Sequence, residues 1–272
     1  MKKRFCQAVL LLVLPGIAAS QGCVQAWKRT PPAPPSDHVV LRDQLVVHSD
    51  FPLPAEHRLL EELTARRGDL SRRLGLPPGG EPVHVRLFED ADRFAEFMRL
   101  HYPQFPSRRA FFVRTDTRLE VYAHWGDRVA EDLRHEVTHA YLHSLVPNLP
   151  LWLDEGMAEY FEVSRGRRGL NRPHLENLLA RYQRDQWHPD LRRLERLDRP
   201  FEMTLDDYAE SWAWVHFLLE SRPKHRQLLC DYLAELRQFG SARPVEMQLH
   251  DAIGRPEQAV VDHVRRLAAP AR

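Results

Sequence analysis

Cysteine is scarce, with three in 272 residues. Cys6 and Cys23 fall near the N-terminus, and Cys230 stands alone in an apolar helical run. One cysteine excludes an internal disulfide, so the body of the chain relies on its core, and Cys230 reads as a small buried hydrophobe. About 235 residues follow the N-terminal segments, enough to bury such a core. Glycine is also scarce, at 12 residues. No Gly-rich loop is arranged to cradle phosphates, and no internal repeat is present. Charge of one sign is missing too: 39 Lys and Arg against 38 Asp and Glu leave a net +1. Losing Lys2, Lys3 and Arg4 with a leader would make it about −2, so no strong field marks nucleic acid as a partner. One basic run, RRGDLSRR (66–73), reads as a solvated helix face. No apolar stretch is long enough to span a bilayer.

What is present is HEVTH (135–139), followed by PLWLDEGMAEYFE (150–162). A helix rises about 1.5 Å per residue, so positions four apart share a face one turn apart. His135 and His139 can therefore offer both imidazoles to one ion, with Glu136 beside them as general base. A catalytic zinc takes three protein ligands and keeps one open position, and Glu155 is the natural third ligand. The surrounding segment supports a helix: Val129, Leu133, Val137, Ala140, Tyr141 and Ser144 recur at helical spacing. The prolines of VPNLP (146–150) then stop it and turn the chain back. The bland alternative is a polar helix with two unrelated histidines, since HExxH alone is a short motif.

Other groups compete for roles nearby. His143 lies on the same helical face but about 12 Å from His135, too far to share its ion. It reads as a pocket-rim residue or a surface histidine. Glu159 could replace Glu155 as ligand, but its more natural role is to orient a ligand histidine through the other ring nitrogen. Asp154 suits that role as well, or else caps the second helix. Gly156 and Ala158 are small enough to let this helix pack closely on the HEVTH helix. One zinc ion per chain is the expected cofactor.

These segments resemble the glutamate-zincin metallopeptidases, and among them the bacterial peptidase MA-like group, which carries HExxH, a loop, then W-L-x-E-G-x-A-E-Y/F. DYAESWAWVHFLLE (207–220) is similar to that group's downstream helix, and the likeness extends over roughly 108–220. The interval between His139 and Glu155 is a little shorter than in the aminopeptidase branch. The resemblance implies His135, His139 and Glu155 as zinc ligands and Glu136 as base. It also implies an oxyanion-stabilising residue from a later helix, for which Tyr208 is the candidate and His216 the runner-up; the alternative packs Tyr208 with Trp212 and Trp214 as core. Trp212, Val215 and Leu219 read as the buried stripe of that helix, and Ser211 has no partner to make it a nucleophile. The implied activity is hydrolysis of a peptide or protein substrate. Three rivals stand beside it: a zinc-binding scaffold without proteolysis, a metal-free helical interaction protein, and a zinc amidase acting on another amide.

The chain opens MKKRF and continues with an apolar run over 8–19, which reads as a signal-peptide core (1–22). Ser20-Gln21-Gly22-Cys23 is similar to a bacterial lipobox, so Cys23 is the candidate lipidation site; ordinary secretion after Ala18-Ala19-Ser20 is the alternative. Either places the protein in the cell envelope or outside it, with membrane contact only through an N-terminal lipid. A Pro-rich linker (23–37) suits a tether.

Strand patterns are expected at 39–48, 82–88, 110–113 and 119–124, and helices at 55–74 and 90–100. After the two metal-bearing helices, helical patterns follow at 174–185, 206–221, 223–238, 243–253 and 256–268. The fold class is therefore α+β: a small mixed sheet with flanking helices, then an all-helical C-terminal part. The expected lobes are 38–165, with the metal site, and 166–272. The zincin likeness implies a cleft between them, above which one strand of 110–124 is an exposed edge able to hold an extended peptide.

Overall fold

The structure is a computed structural model and describes residues 32–269. The expected signal peptide, Cys6, Cys23 and most of the Pro-rich linker lie outside the described residues. The first pair of strands is a hairpin, β1 (His38–Arg42) against β2 (Leu45–Ser49). The sequence pattern suggests one strand here. It turns at Asp43, whose φ of 49° is left-handed, and Asp-Gln is a weaker turn signal than Asn-Gly or Asp-Gly.

Helix α1 (Arg58–Leu74) carries the chain over to β3 (Val83–Phe88), which pairs parallel to β2. His57 caps α1 by accepting from the Leu59 N–H, and Gly75, at φ 65°, ends it. Helix α2 (Ala91–His101) begins at the Asp90 cap. Strands β4 (Ala110–Arg114) and β5 (Leu119–His124) then form an antiparallel hairpin, with β5 parallel to β3. The order is β1-β2-β3-β5-β4, so β4 is an edge of a five-stranded mixed sheet.

Period-2 alternation gives the sheet two apolar faces. Leu45, Val47, Val83, Val85, Leu119 and Val121 point into the main core. Phe88, Phe111, Val113 and Tyr122 point the other way and pack with Phe94, Phe97 and Met98 of α2. Against the main-core face lies α3 (Val129–His143), and α1 packs on α3 and shares that core.

Ten α-helices are present among the described residues. The remainder are α4 (Leu151–Phe161), α5 (Arg172–Gln183), α6 (Leu191–Leu194), α7 (Leu205–Glu220), α8 (Pro223–Phe239), α9 (Val245–Ile253) and α10 (Pro256–Ala268). Thr204 and Asp207 form a reciprocal capping box that starts α7. From Asp207 to Leu219 every residue of α7 is buried, so the expected apolar stripe is in fact a wholly enclosed helix. It packs against α4, α5 and α8. No helix among the described residues is long and apolar enough to cross a membrane.

Candidate metal centre

Helix α3 turns Val129, Leu133, Val137, Ala140 and Tyr141 into the core. That leaves His135, Glu136, His139 and His143 on the side toward β4 and α4. Phe112 of β4 lies over two of these rings, 6.1 Å from His139 and 5.3 Å from His143 between centroids. Helix α4 is enclosed from Trp152 to Ala158, so its Asp154 and Glu155 are buried carboxylates that require compensation.

The two histidines and Glu155 supply that compensation to one another. His135 Nε2 lies 3.2 Å from His139 Nε2, and each is 3.6 Å from Glu155 Oε2. Glu155 Oε2 is buried and accepts no hydrogen bond among the described residues. A triangle with these edges has a point about 2.0 Å from every corner, the length of a metal–imidazole or metal–carboxylate bond, and leaves a fourth position open. The three residues therefore fit a divalent ion.

A carboxylate stands behind each imidazole. Glu162 Oε2 is 3.0 Å from His135 Nδ1, and Asp154 Oδ1 is 2.9 Å from His139 Nδ1. The other oxygen of Asp154 reaches His143 Nε2 at 2.9 Å. Glu162 is hydrogen-bonded to His135 Nδ1, whereas Asp154 meets His139 Nδ1 as a close ion pair outside hydrogen-bond geometry, and both Nε2 atoms turn toward Glu155. The field there favours positive charge. Burial pulls the His139 pKa down, but Asp154 and Glu155 reverse this and raise it to about 10. Burial pushes the Glu155 carboxyl up, yet the two histidines bring it to about 2.

Glu136 adjoins this group, half-buried, and burial raises its carboxyl above the usual range against the pull of His135 and His139. The Phe112 backbone adjoins it and offsets part of that rise. The edge strand β4 therefore faces the site. A cavity of about 750 Å³ opens beside His135 and Glu136, walled by Glu159, Glu162 and His174 on one side and by Arg108 and Arg109 on another. Tyr208, in the first turn of α7, has its hydroxyl 3.5 Å from the Arg108 guanidinium, and the Glu155 and His135 charges act on it.

Of the residues singled out in the sequence, His135, Glu136, His139, Glu155 and Asp154 come together. Asp154 is not the helix cap, since Pro150 takes that position before α4. Glu159 stands one residue layer back: it takes His174 Nε2 at 2.7 Å and Asn171 Nδ2 at 3.2 Å. Glu159 and Glu162 could also hold an ion with His135, but both are already engaged by Asn171, His174 and His135 Nδ1. Glu162, Asn171, His174 and Arg108 are absent from the sequence reading. His216 points away, into a contact with His263. Gly156 serves a different helix from the expected one: a Cβ there would come within 2.5 Å of the Ser211 carbonyl on α7, not of α3. Ser211 itself is wholly buried.

Residues 129–245 match a family described as protein of unknown function (DUF1570). The match begins with α3 and ends where α9 starts, so it takes in both helices that carry His135, His139 and Glu155. No curated protein matches the sequence.

Proposed function

We propose that this chain is a zinc-dependent peptidase of the glutamate-zincin type, acting in the cell envelope. The observation that carries the reading is the triangle of His135 Nε2, His139 Nε2 and Glu155 Oε2 with the Glu136 carboxylate next to it. Bound there, zinc supplies Lewis acidity and lowers the pKa of water to roughly 7. The rest falls to the chain's own side chains. Glu136 takes the proton of the attacking water and delivers it to the leaving amine; its raised pKa suits a group that must both accept and release. Tyr208 donates its hydroxyl proton toward the developing oxyanion, with Arg108 behind it. The free edge of β4 pairs with an extended substrate backbone and sets the carbonyl over Glu136. Export rests on the N-terminal leader pattern, and anchoring on lipidation of Cys23.

The test is metal content of the purified protein, never exposed to chelator, beside a His135→Ala/His139→Ala variant. About one zinc per chain, lost in the variant, is expected. Folded wild-type protein without metal would overturn the reading. Glu136→Gln then separates a peptidase from a zinc-binding scaffold: a peptidase loses turnover and keeps its metal, whereas a scaffold keeps its function.

A further inference from the structure

Three basic segments far apart in the chain meet on one face. They are 66–73 of α1, 165–168 after α4, and 222–226 at the start of α8. In sequence the first reads as a solvated helix face; in the fold it is one wall of two adjoining cavities. The larger, about 480 Å³, is lined by Arg72, Arg73, Arg168, Arg222 and Arg226, with Glu220 as its one carboxylate. The second, about 400 Å³, shares Arg73 and Arg168 and adds Arg66, Arg165 and Asp69.

The acids in these walls are already engaged. Glu220 accepts from Tyr160 Oη at 2.5 Å and Arg168 Nε at 2.8 Å, and also from Arg73. Asp69 holds Arg72 and Arg165. Arg222 and Arg226 have no carboxylate partner among the described residues and are exposed. Their position adds to the imbalance. Arg222 is the N-cap of α8, Lys224 and Arg226 follow, and the first turn has no acid. A helix N-terminus favours negative charge, so three cations there cost stability until an anion arrives. In a chain of net charge +1 this concentration is local.

We infer that this face binds a ligand through its phosphate oxygens. Guanidinium groups on several sides offer paired N–H donors to phosphate oxygens. A concave site suits a compact polyphosphate or a phosphate headgroup better than a flat duplex. The inference does not depend on the metal centre.

The test uses the full chain and an Arg222→Gln/Arg226→Gln variant, whose exposed positions leave the core untouched. Sodium pyrophosphate is titrated by calorimetry at low and high salt. Binding is measured separately to vesicles of phosphatidylcholine with and without phosphatidylglycerol. Expected is pyrophosphate binding that weakens with salt and falls at least about tenfold in the variant. Binding dependent on phosphatidylglycerol and on the two arginines would place the phosphate in a lipid headgroup; pyrophosphate binding alone would place it in a free anion. Equal affinity in variant and wild type, or no binding to either probe, would overturn the proposal.

Discussion

Of the histidine pairs that lie ring to ring among the described residues, two have surroundings that give them opposite chemistry. His135 and His139 face each other through Nε2 atoms 3.2 Å apart, while His216 Nδ1 and His263 Nε2 are 2.9 Å apart. In the first pair a carboxylate lies within 3.0 Å of each Nδ1, and both Nε2 atoms converge with Glu155 Oε2 on one point. That arrangement draws in positive charge, as the raised pKa of both imidazoles shows. In the second pair one ring donates and the other accepts, and the bond is complete with two neutral groups. Its neighbours are the rings of Tyr160, Trp212 and Phe217. Glu220 acts on both rings but is already engaged by Tyr160, Arg73 and Arg168. Close imidazoles alone do not make a group that could hold a metal ion; the carboxylates around them set the difference.

The sharpest way to break the contrast is to remove the first pair. His135→Ala/His139→Ala should abolish stoichiometric metal, read by elemental analysis, whereas a His216→Gln/His263→Gln variant should keep it. Glu136→Gln should leave metal content intact and lower peptide turnover by about 10² to 10⁴; unchanged turnover would show that another group takes the proton. Glu162→Gln tests the carboxylates themselves. It retains a hydrogen-bonding partner for His135 Nδ1 but removes the charge, and metal affinity should weaken by about 10- to 100-fold in a chelator competition. An affinity unchanged by Glu162→Gln would mean that the backing carboxylate does not tune the site.

The metal triangle was legible because its logic is local. HEVTH spacing needs only a helix, and the proline break at 146–150 brings the acids that follow, Asp154 and Glu155, back over it. Glu162 was not legible, because its contact with His135 depends on where α4 ends relative to α3, 27 residues earlier. Arg108 comes from a loop with no periodic signal. The C-terminal helices fall within about two residues of their expected ends, since strong apolar periodicity marks them. The four-residue α6 and the 3₁₀ turn at Pro200–Glu202 are too short to show a period. Gly156 was read as a contact surface for the wrong neighbour, because smallness reports close approach without saying to what. The three arginine segments are each unremarkable alone, and only tertiary structure adds their charges.

The second pair carries the smallest effect and a defined sign. Burial holds His216 at about 4, with Glu220 raising it and Arg168 and Arg73 lowering it. Burial holds His263 at about 3, lowered further by His216, Arg266 and His225 and raised by Glu220. Both lie below the 6.5 of the unfolded chain. Above pH 6.5 neither state binds these protons, and the pair has no effect on pH dependence. As pH falls from 6.5 toward 4, the unfolded chain takes up protons that the folded one refuses, so stability declines by up to about 1.4 kcal/mol per pH unit for each histidine. Below about 3 both states are protonated and the loss levels off. His263→Gln preserves a hydrogen-bond partner for His216 and removes one of the two protons. Its denaturant midpoint should therefore fall less steeply than that of the wild type between pH 6.5 and 4.5. A variant with the same acid slope would mean that His263 titrates normally in the fold, and that the second pair is as receptive to charge as the first.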